Sequence, residues 1–247
     1  MALIYSLQRD GVQYEVRSAG RTVRLYTDGV FHSSYNPDRP MTGGVWDLLM
    51  MPAFLRPPGA VRRVLLLGVG GGTVIRQLRE FVRPEEIVAI DISAEHLDIA
   101  RRFFGAGGPE VRMVQADARD WLADDRSRYD LVIDDLFGGT DGEPERAVEA
   151  DAAWCKRLAA KVARGGAVSM NCLGPAELSR SGFLTDPVLR QRFRGRLQLR
   201  SARDQNAVGL FLPRAVEPME LRRQLLAVPG LNLRRDPNLA FTVSTLK

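Results

Sequence analysis

Short apolar runs recur along most of the chain, bounded by glycine, proline or acidic positions. Residues 64–67 (VLLL) and 87–90 (IVAI) have no polar side to show to water, which predicts strands buried on both faces. Comparable runs at 111–114, 129–135, 166–172, 207–212 and 239–245 bring the predicted strands of this part to seven. Between them, apolar residues at helical spacing predict helices at 74–81, 94–104, 118–123, 147–163 and 217–227. Strands alternating with helices imply an α/β fold with a mostly parallel sheet covered on both faces. The first 57 residues follow another rhythm. Residues 12–16 and 22–26 alternate apolar and polar positions, with turn chemistry at Ser18-Ala19-Gly20 and Thr27-Asp28-Gly29. A small antiparallel sheet over 1–57, with a helix at 45–55, therefore precedes a larger unit at 58–247, and Pro57-Pro58-Gly59 marks the junction.

The candidate chemistry sits where the first buried strand ends. A glycine turn, Gly68-Val69-Gly70-Gly71-Gly72-Thr73, leads into a helix, and the next strand closes on Asp91. Gly68, Gly70 and Gly72 allow backbone to approach a ligand closely, and a carboxylate at the following strand end is placed to receive ribose hydroxyls. Strand, turn, helix, strand and acid in register point to an adenosine-bearing ligand. A dinucleotide fingerprint would carry its third glycine where Thr73 stands, so a sulfonium nucleoside fits better than NAD. Ligands of such sheets bind beyond the carboxyl ends of the strands, where Asp91, Asp117, Asp134 and Asp135 all fall. Helix capping and turn formation offer each of them a structural alternative.

Composition narrows the class without naming a partner. Nothing in the chain reads as an apolar membrane span or a secretion signal, so a soluble cytoplasmic protein is expected. Cys155 and Cys172 have no metal-ligand spacing and read as a reduced pair, and no metal site is expected. His96 reads as a surface residue of the helix after Asp91. The formal charge of +5 rests almost entirely on arginine, since Lys156, Lys161 and Lys247 are the only lysines. Arg190, Arg192, Arg194, Arg196, Arg200 and Arg203 crowd one stretch, read as a solvated basic face rather than a nucleic-acid site because no nucleic-acid motif accompanies them.

These motifs resemble the polyamine aminopropyltransferases, the spermidine synthase family, within the class I S-adenosylmethionine-dependent transferases. Tyr26-Thr27-Asp28-Gly29-Val30 resembles that family's N-terminal turn, and the turn at 68–73 its glycine-rich loop. Ile90-Asp91-Ile92-Ser93 resembles its ribose-binding strand end, the Ala-Arg-Arg-Phe-Phe run at 100–104 matches too, and residues 130–135 resemble its catalytic strand. The resemblance implies a Rossmann-like class I methyltransferase fold with a small N-terminal β domain, a homodimer, and S-adenosylmethionine or its decarboxylated form as donor. It places the donor on Gly68, Gly70, Gly72, Asp91, Ile92, Asp117, Ala118 and Asp134, and makes Asp135 the catalytic acid that assists an attacking amine. Because adjacent strand residues face opposite ways, Asp134 should not share the role of Asp135.

Departures from the family pattern concentrate on the acceptor side. Gly71 replaces an acid that holds the aminopropyl tail, Gly138 replaces a second acid, and Ala202-Arg203-Asp204-Gln205 replaces a proline–tyrosine loop. His32, Trp46 and Asp47 occupy positions where the family contacts its amine, and are the substrate-binding candidates. Loss of the acid at 71 makes methylation of a small amine the favoured expectation. A genuine aminopropyltransferase with a rebuilt acceptor pocket, and a noncatalytic nucleoside- or polyanion-binding protein, are the alternatives.

Overall fold

A computed structural model describes residues 1–231 and 240–247. Its N-terminal part is a four-stranded antiparallel sheet of β1 (Ala2–Arg9), β2 (Val12–Ala19), β3 (Thr22–Thr27) and β4 (Val30–Tyr35), joined in sequence order. Asp10, Gly11, Gly20, Asp28 and Gly29 take positive φ in its turns, as tight hairpins demand. Tyr14, Val16 and Leu25 seal one face of the sheet against Ile99 and Phe104. The helix expected at 45–55 divides into α1 (Trp46–Leu49) and a 3₁₀ segment, Met51–Leu55, with a proline at its start. Both pieces are buried, and Leu48, Leu49 and Met51 pack in the same core as Val64 and Leu66 of the larger unit.

The larger unit holds β5 (Arg63–Leu67), α2 (Thr73–Gln77), β6 (Glu86–Asp91), α3 (Ala94–Phe104), β7 (Val111–Gln115), α4 (Ala118–Asp124) and β8 (Tyr129–Asp134). There follow a hairpin of β9 (Phe137–Thr140) and β10 (Glu143–Arg146), then α5 (Ala152–Ala160) and β11 (Val162–Cys172). Three short helices, α6 (Pro175–Arg180), α7 (Gly182–Thr185) and α8 (Pro187–Arg192), lead to β12 (Gly195–Ser201), β13 (Ala207–Leu212), α9 (Pro218–Leu226) and β14 (Phe241–Thr245). The sheet order is β14-β12-β13-β11-β8-β5-β6-β7, parallel from β11 to β7 and antiparallel from β11 to β14. This is the Rossmann-like architecture expected. The chain winds outward from β5 through β6 and β7, then returns to β8 on the other side, so the switch point lies between β5 and β8.

Among the described residues the sheet has eight strands, one more than the apolar runs suggested. The addition is β12, hidden inside the arginine-rich stretch. Leu197 and Leu199 are fully buried there and alternate with Arg196, Gln198 and Arg200, so this part of the stretch is a strand of period two, while Arg190 and Arg192 belong to α8. The expected helix at 147–163 is shorter because β11 already begins at Val162, with an irregularity before Ala167 where Gly165 takes φ +76°. Leu239, the expected start of the last strand, lies outside the described residues.

Candidate functional site

Two clefts open at the carboxyl ends of the parallel strands, on either side of the glycine turn. The smaller, about 90 Å³, is lined by Gly68, Asp91, Ile92, Asp117, Ala118, Phe137 and their neighbours. The larger, about 230 Å³, is lined by His32, Trp46, Gly68, Gly70, Asp91, His96, Asp135, Asn171, Asp204 and Asn206, with Phe31 and Phe137 among its apolar walls. Gly68, Asp91 and Phe137 belong to both. The structure thus brings most of the predicted residues to one place.

Close packing at the switch point explains the turn. The amide of Asp135 donates to the carbonyl of Leu67 at 2.8 Å, which locks the end of β8 to the end of β5. Gly68 has φ +88°, and a Cβ there would come within 2.0 Å of the Asp135 carbonyl oxygen, so only glycine fits. Gly72 caps α2 and packs toward Ala106, and it lines neither cleft. At Gly71, the position of the missing acid, a Cβ would come within 2.7 Å of Ser33 Cβ and 2.9 Å of the Phe104 ring. The N-terminal sheet has therefore taken the space that a side chain at 71 would need.

Asp91 is buried at the centre of the constellation. Its Oδ2 accepts from the amides of Val69 at 2.9 Å and Gly70 at 3.1 Å, and Oδ1 accepts from Ser93 at 2.9 Å. Burial alone would raise its pKa, but His96, 3.5 Å away, and these amides hold it below the ordinary carboxylate value. Asp117 caps α4, accepting from the Arg119 amide at 2.7 Å, and also lines the smaller cleft, so the capping alternative and the site reading coincide.

The two adjacent acids where β8 ends part company. Asp135 faces the larger cleft, where Asn171 Nδ2 donates to its Oδ1 at 2.8 Å and Asn206 Nδ2 donates to Asn171 Oδ1 at 3.0 Å. Burial pushes the Asp135 carboxyl up to about 6, the Asn171 hydrogen bond opposing. Asp134, placed with the donor from sequence, lines neither cleft: it is fully buried on the other side, its Oδ2 held by Arg146 Nη2 and Trp154 Nε1, each at 2.9 Å. The alternation of side chains along a strand forces this division. Asp134 is a structural acid, anchoring the hairpin strand that carries Arg146.

Of the acceptor candidates, His32 and Trp46 line the larger cleft and Asp47 does not. Asp47 is 2% exposed and accepts from Thr42 N, Thr42 Oγ1, Gly43 N and Gln77 Nε2, which makes it the organiser of the 42–47 turn. His32 is lowered to about 4 by burial and by the neighbouring His96, so its imidazole is neutral at physiological pH.

Sequence reasoning missed several lining residues. His96, expected on the surface, is buried on the inner face of α3, with Nε2 2.8 Å from Thr27 Oγ1. The spacing of Ile92, His96 and Ile99 carried no signal of this, because Tyr14 of β2, Thr27 of β3 and His32 of β4, remote in sequence, supply the other wall. Asn171, Asp204 and Asn206 come from the end of β11 and from the loop between β12 and β13, far apart in the chain. Burial raises the pKa of Asp204, and its Oδ2 is buried without a hydrogen-bond partner. Among the described residues no lysine or arginine lines the larger cleft, in a chain with 35 of them, and no group of three or more metal-ligating side chains is present. No described helix is long and apolar enough to cross a membrane.

Comparison with known proteins fits this geometry. A family model for a methyltransferase domain matches residues 64–157. Polyamine aminopropyltransferase 2 of Caldanaerobacter subterraneus is 29% identical over 106 residues, which is 41% of this chain and 35% of that protein. The match thus spans about a third of that relative's length. Among solved structures, a probable spermidine synthase from Corynebacterium glutamicum superposes with a TM-score of 0.71 at 17% identity, covering 100% of this chain and 99% of the other. A spermidine synthase in complex with the transition-state analogue AdoDATO gives 0.65 at 16% identity, covering 89% and 75%. At these identities the superpositions establish the shared fold.

Proposed function

We propose that this chain, a spermidine-synthase-like member of the class I S-adenosylmethionine-dependent methyltransferase fold family, transfers an alkyl group from a sulfonium nucleoside to the nitrogen of a small cationic amine. One observation carries the reading: the larger cleft joins the nucleoside hollow at Asp91 and presents Asp135 and Asp204 among aromatic walls, with no lysine or arginine lining it among the described residues. Such a wall attracts a cation and repels an anion. Adenine would occupy the hollow beside Asp117 and Ile92, and ribose would reach Asp91.

The chemistry is a single displacement. The amine nitrogen forms a bond to the carbon next to the positive sulfur, the carbon–sulfur pair returns to sulfur, and a neutral thioether leaves. An amine arriving charged must shed one proton to expose its lone pair before it attacks, and the product leaves as an ammonium. Asp135, with its pKa near 6, is the acceptor for that proton, and Asn171 and Asn206 hold it in place. Asp204 would hold a second positive charge of the acceptor. Alignment of the two reactants supplies much of the remaining rate.

The donor best supported is the decarboxylated one, with aminopropyl transfer as the reaction. A methionine carboxylate needs cationic or amide partners. The amides of Val69 and Gly70 are given to Asp91, that of Gly71 to Ser33 Oγ, and that of Gly72 to the Val69 carbonyl. A donor ending in an ammonium alone suits this acid-lined space. Methyl transfer from intact S-adenosylmethionine is the second reading, favoured by the glycine at position 71. Incubating the protein with each donor and a panel of di- and polyamines separates them, because aminopropyl transfer releases methylthioadenosine and methyl transfer releases S-adenosylhomocysteine. Release of neither from any cationic amine would defeat the proposal.

A further inference from the structure

The amino ends of the parallel strands, opposite the clefts, gather arginines that are scattered in the sequence. Arg126 and Arg128 lead into β8, and Arg164 lies near the start of β11. Arg190, Arg192 and Arg194 lead into β12, whose first residue pairs with the last of β13 at this same end. Arg200, by contrast, is carried by β12 toward the cleft end. The six are exposed, and none forms an ion pair among the described residues. The hydrogen bonds they make go to carbonyl oxygens: Arg128 to Ser127 at 3.2 Å, Arg190 to Leu184 at 2.8 Å, Arg192 to Val162 at 3.3 Å and Arg194 to Pro213 at 3.4 Å. Contacts tie the group together. Arg63 Nη1 donates to the Arg128 carbonyl at 3.3 Å, Arg56 Nη1 donates to the Gly165 carbonyl, and partial burial and then the charge of Arg128 hold Arg192 below the ordinary guanidinium value. Acids at this end have other partners: Asp125 lies 3.9 Å from Lys161, Asp130 accepts from the amides of Arg62 and Arg63, Glu85 and Glu86 pair with those two side chains, and Asp186 pairs with Lys156 at 2.6 Å. Asp124, exposed at the end of α4, stands against six guanidiniums.

A carbonyl oxygen leaves the charge of a guanidinium uncancelled and most of its five donors free. Like charges brought together in this way create a positive potential that draws a polyanion. Its extent indicates which one. From β12 through β13, β11 and β8 to β5 there are four strand spacings, about 19 Å in all. One nucleic-acid strand at about 3.4 Å per nucleotide places five or six phosphates along that length. Guanidinium forks match phosphate oxygens in both spacing and number of donors. A membrane surface would need apolar anchors beside the charge, but between 186 and 200 Leu189, Phe193, Leu197 and Leu199 are buried and Val188 alone is exposed. We propose that the arginine-lined face at the amino ends of β5, β8 and β11 is a binding surface for the phosphate backbone of a nucleic acid, at the opposite end of the sheet from the two clefts. The inference goes beyond the alkyl-transfer reading and does not depend on it.

Fluorescence anisotropy tests it, with a labelled mixed-sequence probe of roughly 20 nucleotides offered as duplex DNA, single-stranded DNA and single-stranded RNA between about 50 and 200 mM salt. Saturable binding is expected for the wild type, with log K falling against log salt at a slope of about −4 on duplex DNA. The Arg128→Gln, Arg164→Gln, Arg192→Gln triple variant should bind about tenfold or more weakly, with a slope shallower by about 3. A charge-matched control, Arg39→Gln, Arg101→Gln, Arg180→Gln at three exposed positions outside this face, should stay within about threefold of wild type and keep its slope. Equal weakening in both triple variants would reduce the effect to diffuse charge and overturn the proposal. So would failure of all three probes to saturate the wild type, displacement of the probe by S-adenosylhomocysteine, or binding to phosphatidylglycerol vesicles with none to the probes. If the first triple variant fails to fold, Arg164→Gln alone, at an exposed side chain, carries the test and should make the slope shallower by about 1. Tighter binding of RNA than of the matched DNA strand would identify RNA as the partner, and the reverse order DNA.

Discussion

Replacing Asp135 by asparagine separates catalysis from architecture. The substitution keeps the shape of the side chain and lets Asn171 Nδ2 still donate to the oxygen it now meets at 2.8 Å. What disappears is the charge. Held near 6 by burial rather than at its ordinary 3.8, the carboxyl binds its proton more tightly in the fold than in the unfolded chain. The sign follows from linkage: wild-type stability is full below pH 3.8, falls as pH rises toward 6, and is level above. At about 1.4 kcal/mol per tenfold change in proton affinity, the ionised group costs the native state on the order of 3 kcal/mol at neutral pH. The amide escapes that cost. Asp135→Asn should therefore be at least as stable as wild type in urea at pH 7.5, with the advantage vanishing near pH 4. Nucleoside affinity by calorimetry should stay within about threefold, because Asp91 and Asp117 are untouched. Turnover should drop by roughly 10²-fold, about 2.7 kcal/mol, as the proton acceptor is lost. In the wild type the rate should rise with pH through about 6 as the carboxylate forms, and the variant should lose that limb. A variant that keeps wild-type turnover, or one that unfolds more readily at pH 7.5, would refute the assignment.

Three other substitutions probe the surrounding shell. Asp134→Asn should destabilise by about 3 kcal/mol in denaturant titration, since Arg146, with a side chain 3% exposed, keeps its charge and loses its closest acid; an unchanged midpoint would show that Glu177, 3.5 Å from Arg146, suffices. Asp91→Ala removes the acceptor of three loop amides and the ribose contact, and should weaken methylthioadenosine binding by about 2 kcal/mol or more. Equal affinities of the two proteins would remove Asp91 from the nucleoside site. Restoring the family's acid with Gly71→Asp should cost about 1–3 kcal/mol, because Ser33 and Phe104 already fill the space; a fully stable Gly71→Asp protein would contradict the packing described.

The sequence by itself determined the local units. Val64 to Leu67, the glycine turn and Asp91 are adjacent in the chain, and their chemistry follows from strand burial and glycine backbone freedom, which are short-range properties. The same holds for the hairpin turns of the N-terminal sheet, and for the α/β alternation that places Asp91, Asp117 and Asp135 at strand ends. Tertiary structure alone decided which neighbours of those acids face a cleft. Two successive carboxylates at the end of β8 are equivalent until the cleft's side of the sheet is known, and only then does Asp135 become a cleft-lining residue and Asp134 the partner of Arg146. His96 was unreadable because a helix face is inner or outer only relative to the sheet laid over it. Asn171, Asp204 and Asn206 meet through strands far apart in sequence, and β12 was masked by arginines that alternate with the buried Leu197 and Leu199. Period and turn chemistry are encoded within a few residues, whereas an acceptor cleft is made by long-range contacts that no local pattern specifies.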